Sequence, residues 1–313
     1  MNRPIVSVLM PAYNAALHIR EAIDSILAQT FINFEFVIIN DGSQDETEAI
    51  ILSYYDRRIK YYQNESNLGI VQTLNKGIKL CGGQYIARMD ADDIALPNRL
   101  AHQVDFMTRH QNIVACGTLY GIFGTQTQVD VATDPQDIRC DMALFCQFAH
   151  SMMMIRKSVL EASHLQYRED YKYAEDYKLW TELLQYGDMA NVPELLGYIR
   201  QCESGISIMH SEKQKILSDK VRRDYLKTMG INPQILLSEI LNNETDIFTL
   251  RQVLIDYQPL AMKASIRTWL RRNFITGIKR YIRSSPIRYR YKQIVVWGSF
   301  LSLKEKVVLL LKG

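Results

Sequence analysis

Three carboxylates, Asp90, Asp92 and Asp93, lie within four residues directly after an apolar run at residues 85–87. Carboxylates held this close repel one another, and a cation bound between them offsets the repulsion. Mg²⁺ and Mn²⁺ prefer oxygen ligands, and proteins often hold them through one or two carboxylates together with substrate phosphates. The spacing therefore indicates a site for a divalent metal and a diphosphate. The alternative is a solvated acidic turn before the next helix, because Asp-x-Asp alone is a weak motif.

Strand and helix patterns alternate along the first ninety residues. Apolar runs rich in β-branched and aromatic residues predict strands at residues 5–10, 34–40, 59–63 and 85–89. Amphipathic spacing predicts helices between them. Ser43 and Glu46 have the spacing of a capping box, which predicts that the second helix begins there. This alternation predicts a parallel sheet with helices on both faces.

A polar segment follows three of these strands. Tyr13 and Asn14 follow the first, Asp41 and Gly42 follow the second, and the acidic residues 90–93 follow the fourth. Parallel sheets of this kind bind ligands at the carboxyl ends of their strands, so we expect the three segments to converge at one edge. A dinucleotide-binding oxidoreductase is disfavoured because no Gly-x-Gly-x-x-Gly follows the first strand, and the P-loop pattern is absent too.

The patterns beyond residue 95 are weaker. A helix is predicted at residues 97–110, strands at 113–117 and 149–156, a helix at 173–180 and an edge strand at 195–200. The segment between Gly117 and Gln147 is poorly determined.

The composition is that of an ordinary soluble globular protein, with 47% hydrophobic and 23% charged residues in 313. No apolar run approaches the roughly 20 residues that span a bilayer, and the first residues lack the pattern of a signal peptide. The five cysteines form no Cys-x-x-Cys pair. We therefore expect mostly buried thiols in a reducing cytoplasm rather than disulfides or a zinc site.

The charge is distributed unevenly. From Leu260 onward the chain has 13 Lys and Arg residues against one acid, a net +12 that leaves −9 for the preceding residues. Apolar residues recur there every four positions, with basic residues between them: Ile266, Leu270, Phe274, Ile278 and Ile282. This pattern predicts a basic amphipathic helix that lies on an anionic membrane surface. The alternative is a helix packed on the preceding domain with a solvated basic face.

Several of these segments, in this order, resemble the family 2 glycosyltransferases of the GT-A fold. The resemblance spans residues 5–207 and is carried by the motifs at residues 7–14, 40–43, 67–77, 86–93, 97–100 and 174–180. It implies an α/β, Rossmann-like GT-A domain with a mostly parallel sheet flanked by helices. We assign this catalytic domain to residues 1–212, and a helical C-terminal region with the basic extension to residues 213–313.

The resemblance also implies a nucleotide-sugar site formed by Pro11, Ala12, Tyr13, Asn14, Asp41, Asn67, Gly69, Arg88, Asp90, Ala91 and His150. Asp41 is expected to accept a hydrogen bond from a uracil-like ring, because a charged acceptor strengthens such a bond. Backbone N–H groups near Asn67 and Gly69 are expected to face the nucleotide. Arg88 is expected to pair with the base or with Asp41. The alternatives are an ordinary turn residue for Asp41 and a plain capped loop for residues 67–69.

The metal and the base are implied in the same way. Asp92 and Asp90 are expected to hold Mn²⁺ or Mg²⁺, with Asp90 near the ribose and Asp93 supporting them. Glu175 and Asp176 resemble the general-base motif, in which the Asp takes the proton of the acceptor hydroxyl. The alternative for this pair is the favourable placement of acids in the first turn of a helix.

Two histidines and one cysteine complicate the site. His150 approaches donor or acceptor, or else it is a buried structural histidine. Related sequences commonly have a His two residues after the Tyr-x-Arg motif, and this chain has Cys202 there. A thiol is a poor ligand for a hard cation, so either metal binding is weaker or His210 substitutes.

The sequence therefore predicts an inverting, metal-dependent hexosyltransferase that uses a UDP-sugar and a lipid-linked, oligosaccharide or polysaccharide acceptor. It would build a surface glycan from the cytoplasmic face of the cell membrane, as a peripheral protein that binds no nucleic acid. A homo-oligomer is left open. The alternatives are a catalytically silent nucleotide-sugar-binding subunit for membrane assembly, which Cys202 motivates, and a nucleotidyltransferase, for which a Gly-rich, Lys-bearing loop is lacking.

Overall fold

One sheet of nine strands organises the part of the chain that the structure, a computed structural model, describes: residues 3–129, 131–143, 145–201 and 210–228. The strands are β1 (Val6–Ala12), β2 (Phe34–Asn40), β3 (Ile59–Gln63), β4 (Tyr85–Arg88), β5 (Ile94–Ala95), β6 (Ile113–Ile122), β7 (Gln128–Val129), β8 (Met154–Arg156) and β9 (Asp188–Ile199). The helices are α1 (Ile19–Leu27), α2 (Thr47–Leu52), α3 (Ile70–Leu80), α4 (Arg99–Arg109), α5 (Pro135–Asp141), α6 (Lys157–Ser163), α7 (Glu175–Leu183) and α8 (Ser211–Thr228). The strand order is β3-β2-β1-β4-β8-β6-β9-β5, and β7 pairs with β6 outside this series.

The first four strands of the series are parallel. β1 lies between β2 and β4, and β3 pairs with the far side of β2. Ala12 at the end of β1 is in register with Asn40 at the end of β2, and Leu9 is in register with Arg88 at the end of β4. The chain therefore leaves these strands at one edge of the sheet, which confirms the predicted convergence of the three polar segments.

The other half of the sheet mixes strand directions. β8 is antiparallel to β4 and β6, β9 is parallel to β6, and the short strands β5 and β7 are antiparallel to their partners. The edge strand predicted at residues 195–200 was wrong, because this segment ends the twelve-residue strand β9, which is paired on both sides. The two residues of β5, directly after the acidic turn, take the edge instead. The α/β sheet with flanking helices is confirmed.

The core lies between the sheet and its helices. β1 is buried along its whole length, and the apolar residues of α1 that the 3–4 spacing predicted are buried against the sheet: Ile19, Ala22, Ile23 and Ile26. Two free thiols, Cys81 and Cys116, are buried as expected, and Cys146 is a half-buried free thiol. Burial of continuous apolar strands on both faces is what a parallel sheet requires.

The start of α2 differs from the prediction. The helix begins at Thr47, and Glu46 makes no side-chain capping bond. The Ser43 hydroxyl instead accepts a hydrogen bond from the backbone N–H of Asn14 at 3.0 Å. The predicted capping box is therefore wrong, because Ser43 connects the loop after β2 to the loop after β1.

Helix α8 packs against the segment around α7. The Tyr171 hydroxyl donates to the Asp224 carboxylate at 2.5 Å, and the Tyr225 hydroxyl donates to the Arg139 carbonyl at 2.9 Å. This helix runs across the predicted domain boundary at residue 212, and the division into two domains stays a prediction. The predicted basic amphipathic helix lies outside the described residues. Within those residues, none of the helices combines the length and apolarity that a bilayer crossing requires.

Candidate functional site

The acidic turn after β4 forms a cluster of oxygen ligands. One carboxylate oxygen from each of Asp90, Asp92 and Asp93 lies within 4.8 Å of the others. Burial, followed by the charge of Asp90, raises the pKa of Asp92 to about 6. Burial and the charges of its two neighbours raise the pKa of Asp93 to about 7. The cluster therefore concentrates negative charge that a cation would stabilise.

These residues fit a divalent metal ion. The cluster offers hard carboxylate oxygens, the donors that Mg²⁺ and Mn²⁺ prefer, and it lies at the ligand-binding edge of the sheet. The buried Ala91 separates Asp90 from Asp92. Asp90 and Asp92 are the residues that would hold the ion, with Asp93 behind them.

Arg88 neutralises part of this charge. Its guanidinium is buried and forms an ion pair with the Asp90 carboxylate. Burial lowers the pKa of Arg88, but the charge and hydrogen bond of Asp90, together with the charges of Tyr167 and Asp93, raise it, and the net shift is upward. We predicted that Arg88 pairs with the base or with Asp41. The structure pairs it with Asp90 rather than with Asp41, and a contact of Arg88 with the base stays a prediction.

Arg200, at the end of β9, holds the acidic turn in place. Its backbone N–H donates to Asp93 Oδ1 at 2.8 Å, and its Nε donates to the Asp92 carbonyl at 3.0 Å. Its Nη2 reaches Glu21 on α1 at 2.8 Å, and the guanidinium packs 4.0 Å from the ring centre of Phe123. Arg200 was not among the predicted site residues. Its position in the Tyr-x-Arg motif is the feature of the sequence that could have identified it.

Asp41 is a buried acceptor at the end of β2. Its Oδ1 accepts from Asn64 Nδ2 at 2.7 Å and from the Leu68 N–H at 2.9 Å, and its Oδ2 accepts from the Gly69 N–H at 2.9 Å. A carboxylate has about four acceptor positions, so these three bonds leave one position on Oδ2. We expected the N–H groups near Asn67 and Gly69 to face a nucleotide. Those of Leu68 and Gly69 face Asp41 instead, and Asn67 is exposed.

The loop after β1 contacts the loop after β2. Pro11 and Ala12 are buried within the strand, whereas Tyr13 is 48% exposed. Asn14 has a positive φ of 46°, and its Oδ1 accepts from the Gln44 N–H at 2.9 Å. The loops after β1 and β2 are thus connected by hydrogen bonds. The part that each of these residues takes in binding stays a prediction.

Glu175 and Asp176 open α7, as predicted. Burial and the charge of Asp176 raise the pKa of Glu175 to about 7, and its Oε2 accepts from the Tyr173 N–H at 2.5 Å. Burial raises the pKa of Asp176, and the charge of Asp90 adds to the rise, whereas the Tyr177 N–H and the charge of Arg88 oppose it. Asp176 is thus a half-buried carboxylate near the acidic turn.

Asp176 and Asp90 lie far apart in the sequence. The charges of Arg88 and Asp90 nevertheless act on the pKa of Asp176, which indicates that this side chain lies near the acidic turn. A proton acceptor therefore lies near a cluster that fits a cation. This is the arrangement that a displacement at a diphosphate-linked carbon requires.

His150 packs among aromatic side chains. Its Nε2 lies 2.8 Å from the Tyr167 hydroxyl, and its ring lies edge-on to Trp180 with 5.9 Å between ring centres. Burial, helped by the charge of Arg88, lowers the pKa of His150 well below its ordinary value, so the ring is neutral. The structural alternative for His150 accounts for these contacts, and its role in binding stays a prediction. Tyr167, which the sequence analysis did not single out, takes part in the same cluster.

His210 lies at the start of α8. Its ring stacks on Tyr173 at a distance of 4.3 Å between ring centres. Among the described residues, the candidate metal cluster consists of three aspartates, without His210. The predicted substitution of this histidine as a ligand is therefore not what the structure shows, because Tyr173 holds the ring. Cys202 lies outside the described residues.

The comparisons with known proteins agree with this geometry. The family model described as "Glycosyl transferase family 2" matches residues 7–163. An uncharacterised glycosyltransferase of Haemophilus influenzae is 37% identical over 256 residues, which cover 76% of this chain and 79% of the relative. The glucosyltransferase WfgD of Escherichia coli, named for transfer from UDP-Glc to a GlcNAc-diphosphoundecaprenol, is 30% identical over 77% of this chain and 93% of its own length.

Solved structures share the fold at lower identity. TarS of S. aureus, residues 1–349, in complex with UDP-GlcNAc, has a TM-score of 0.56 and 16% identity, over 97% of this chain and 90% of the other. Glucosyl-3-phosphoglycerate synthase of Mycobacterium tuberculosis, solved with Mn²⁺, UDP-glucose and phosphoglyceric acid, has a TM-score of 0.51 and 17% identity, over 74% and 81% of the two chains. These likenesses show the GT-A fold.

Proposed function

Because this chain belongs to glycosyl transferase family 2, we propose that it is an inverting enzyme that transfers a hexose from a UDP-sugar to a hydroxyl group. The observation that carries this proposal is that Asp176 lies near enough to the acidic turn for the charges of Arg88 and Asp90 to act on its pKa. A proton acceptor and a diphosphate-binding cluster are the two parts that single displacement needs.

Asp41 accounts for binding of the nucleoside. The remaining acceptor position on its Oδ2 suits one N–H donor, and uracil offers one such group on its ring edge. Tyr13, after β1, and Leu68, after β3, are 48% and 40% exposed and offer apolar surface to the base. Asp90, at the end of β4, then lies toward the ribose.

Asp176 acts as the general base. It takes the proton of the acceptor hydroxyl while the hydroxyl oxygen bonds to the anomeric carbon, and the bond from that carbon to the diphosphate oxygen breaks on the opposite face. The anomeric configuration is therefore inverted, through a transition state with oxocarbenium character. Burial keeps the pKa of Asp176 above that of an ordinary carboxyl group, which makes the carboxylate a stronger base.

A divalent ion bound at Asp92 and Asp90 supplies charge stabilisation for the departing diphosphate. Arg200 fixes this turn through the Asp92 carbonyl and the Asp93 carboxylate, so the ligand oxygens keep their spacing. Mn²⁺ and Mg²⁺ both suit the donor set.

Incubation of the chain with a panel of radiolabelled UDP-sugars, with and without Mn²⁺, tests the proposal. We expect metal-dependent release of sugar that is lost in Asp92→Ala. Asp176→Asn should keep UDP binding and lose at least about 100-fold in transfer, because the amide cannot take a proton. Glu169→Gln, an exposed acid on the same segment, serves as the control. Binding without turnover would instead support the silent subunit, and full activity of Asp176→Asn would remove Asp176 from the mechanism.

The acceptor we propose is a lipid-linked or polysaccharide hydroxyl in surface-glycan assembly. The name of the WfgD relative, which specifies a diphosphoundecaprenol acceptor, and the net +12 of the residues after Leu260 support it. We propose that these basic residues bind the chain to the cytoplasmic face of the membrane. Deletion of them should release the protein from anionic vesicles in a sedimentation assay, and unchanged binding would contradict the membrane proposal.

A further inference from the structure

Lys172 places an ammonium group beside the glycine that precedes α3. A Cβ atom built on Gly69 would lie 3.5 Å from Lys172 Nζ. The backbone N–H of the same Gly69 donates to Asp41 Oδ2, the oxygen that keeps an acceptor position. Gly69 thus brings the ammonium and the Asp41 carboxylate to neighbouring positions, although Lys172 lies 131 positions further along the chain than Asp41.

This ammonium has no anionic partner in the part of the chain that the structure describes. Lys172 is half-buried, and its Nζ lies 5.8 Å from the ring centre of Tyr173. A cation near the N-terminus of a helix is electrostatically unfavourable, so the fold does not gain stability from this placement. Its Nζ is therefore available to donate hydrogen bonds to a ligand bound beside Gly69.

The chain is strained at the next residue in a way that fixes the direction of Lys172. Tyr173 has a φ of 85°, a conformation that aromatic residues rarely adopt and that persists only where the surroundings hold it. Its N–H donates to Glu175 Oε2 at 2.5 Å, and its ring stacks on His210. Tyr173 thus packs on His210, and the Lys172 side chain ends beside Gly69, which precedes α3.

Building on the UDP-sugar donor proposed above, we infer that Lys172 reads the uracil base. Its ammonium donates a hydrogen bond to a ring carbonyl of uracil. This carbonyl is next to the ring N–H that donates a hydrogen bond to Asp41. Cytosine carries an amino group where uracil has this carbonyl, and a lone pair where uracil has the N–H. With the ribose and diphosphate held at the acidic turn, Lys172 and Asp41 both disfavour cytosine, so the pair selects UDP over CDP.

Titration calorimetry of the full chain with UDP and with CDP, in the presence of Mn²⁺, tests this inference. In Lys172→Met we expect the Kd for UDP to rise about tenfold, because one charge-assisted hydrogen bond is lost. The Kd for CDP should stay the same or fall, because a repulsive contact is removed. Lys172→Arg should recover part of the UDP affinity. Lys213→Met, which replaces an exposed lysine on the neighbouring helix, should leave both constants unchanged.

Each other outcome overturns the inference in a recognisable way. If Lys172→Met weakens UDP and CDP equally, Lys172 binds the diphosphate and does not read the base. If neither constant changes, Lys172 does not contact the nucleotide, although the proposed function stands. If the wild-type chain binds no UDP, the proposed function and the reading of the base fail together. A far-UV circular dichroism melt of each variant shows whether the fold is kept.

Discussion

Replacement of Glu175 by glutamine should make the unfolding free energy less dependent on pH. Glu175 is 8% exposed, and burial together with the charge of Asp176 raises its pKa from 4.5 to about 7. The folded chain therefore retains a proton on this carboxyl group that the unfolded chain releases between these two values. The unfolding free energy of the wild type falls as the pH rises through this window, whereas the glutamine side chain of the variant has no proton to lose.

The magnitude follows from the size of the pKa difference. Each unit between folded and unfolded pKa is worth about 1.36 kcal/mol. Between about pH 5 and about pH 8 the stability of Glu175→Gln relative to the wild type should therefore increase by roughly 2.5 kcal/mol. Part of the rise in the pKa of Glu175 comes from the charge of Asp176. In an Asp176→Asn background, the stability gained by Glu175→Gln should therefore increase less with pH.

Urea unfolding followed by far-UV circular dichroism at several pH values measures this difference. The side-chain amide introduced by Glu175→Gln can still accept the N–H of Tyr173, so the two chains should have similar stability near pH 5. Glu169→Gln, which replaces an exposed acid, should give a difference independent of pH. A constant difference for Glu175→Gln across the range would refute the view that Glu175 is held protonated by burial.

Two further substitutions test the supports of the site. Arg200→Gln removes the contacts to the Asp92 carbonyl and to Glu21. In calorimetry with UDP present, this substitution should weaken Mn²⁺ binding by about 10- to 100-fold. An unchanged Mn²⁺ affinity would contradict the role of Arg200. Gly42→Ala places a Cβ 2.8 Å from a backbone carbonyl carbon of Ser66 at a φ of 71° and should cost about 2–4 kcal/mol of unfolding free energy. Gly124→Ala, at a φ of 77° with nothing within 4 Å, should cost only about 1–2 kcal/mol, and equal losses would refute the steric argument.

The parallel half of the fold could be predicted from local patterns. Buried parallel strands consist of continuous apolar runs, and the runs that became β1 and β2 are of this kind. Their carboxyl ends meet at one edge in any such sheet, so the sequence pattern predicts that Asp41 and the acidic turn lie near each other. The mixed half was less predictable, because a two-residue strand such as β5 has no periodicity to recognise.

Helix boundaries and loop contacts could not be predicted from the sequence for a related reason. Ser43 has the spacing of a cap, yet its hydroxyl accepts from Asn14, a residue 29 positions earlier. Local spacing describes what a side chain can reach within its own turn, and a neighbouring loop can offer a competing partner. The resemblance predicts that Arg88 pairs with the base or with Asp41, and only the folded turn shows its ion pair with Asp90.

Residue types and short spacings were enough to predict the sheet that carries the site, the order of the acidic and base motifs, and the class of reaction they suit. Propensity and periodicity record such properties, because these depend on spacings of a few residues. The folded chain was needed to show that Arg200 holds the acidic turn, that Asp41 keeps one acceptor position, and that Lys172 reaches Gly69. Each of these contacts joins residues from distant parts of the chain, and their distances are set by how the strands and helices pack rather than by local sequence.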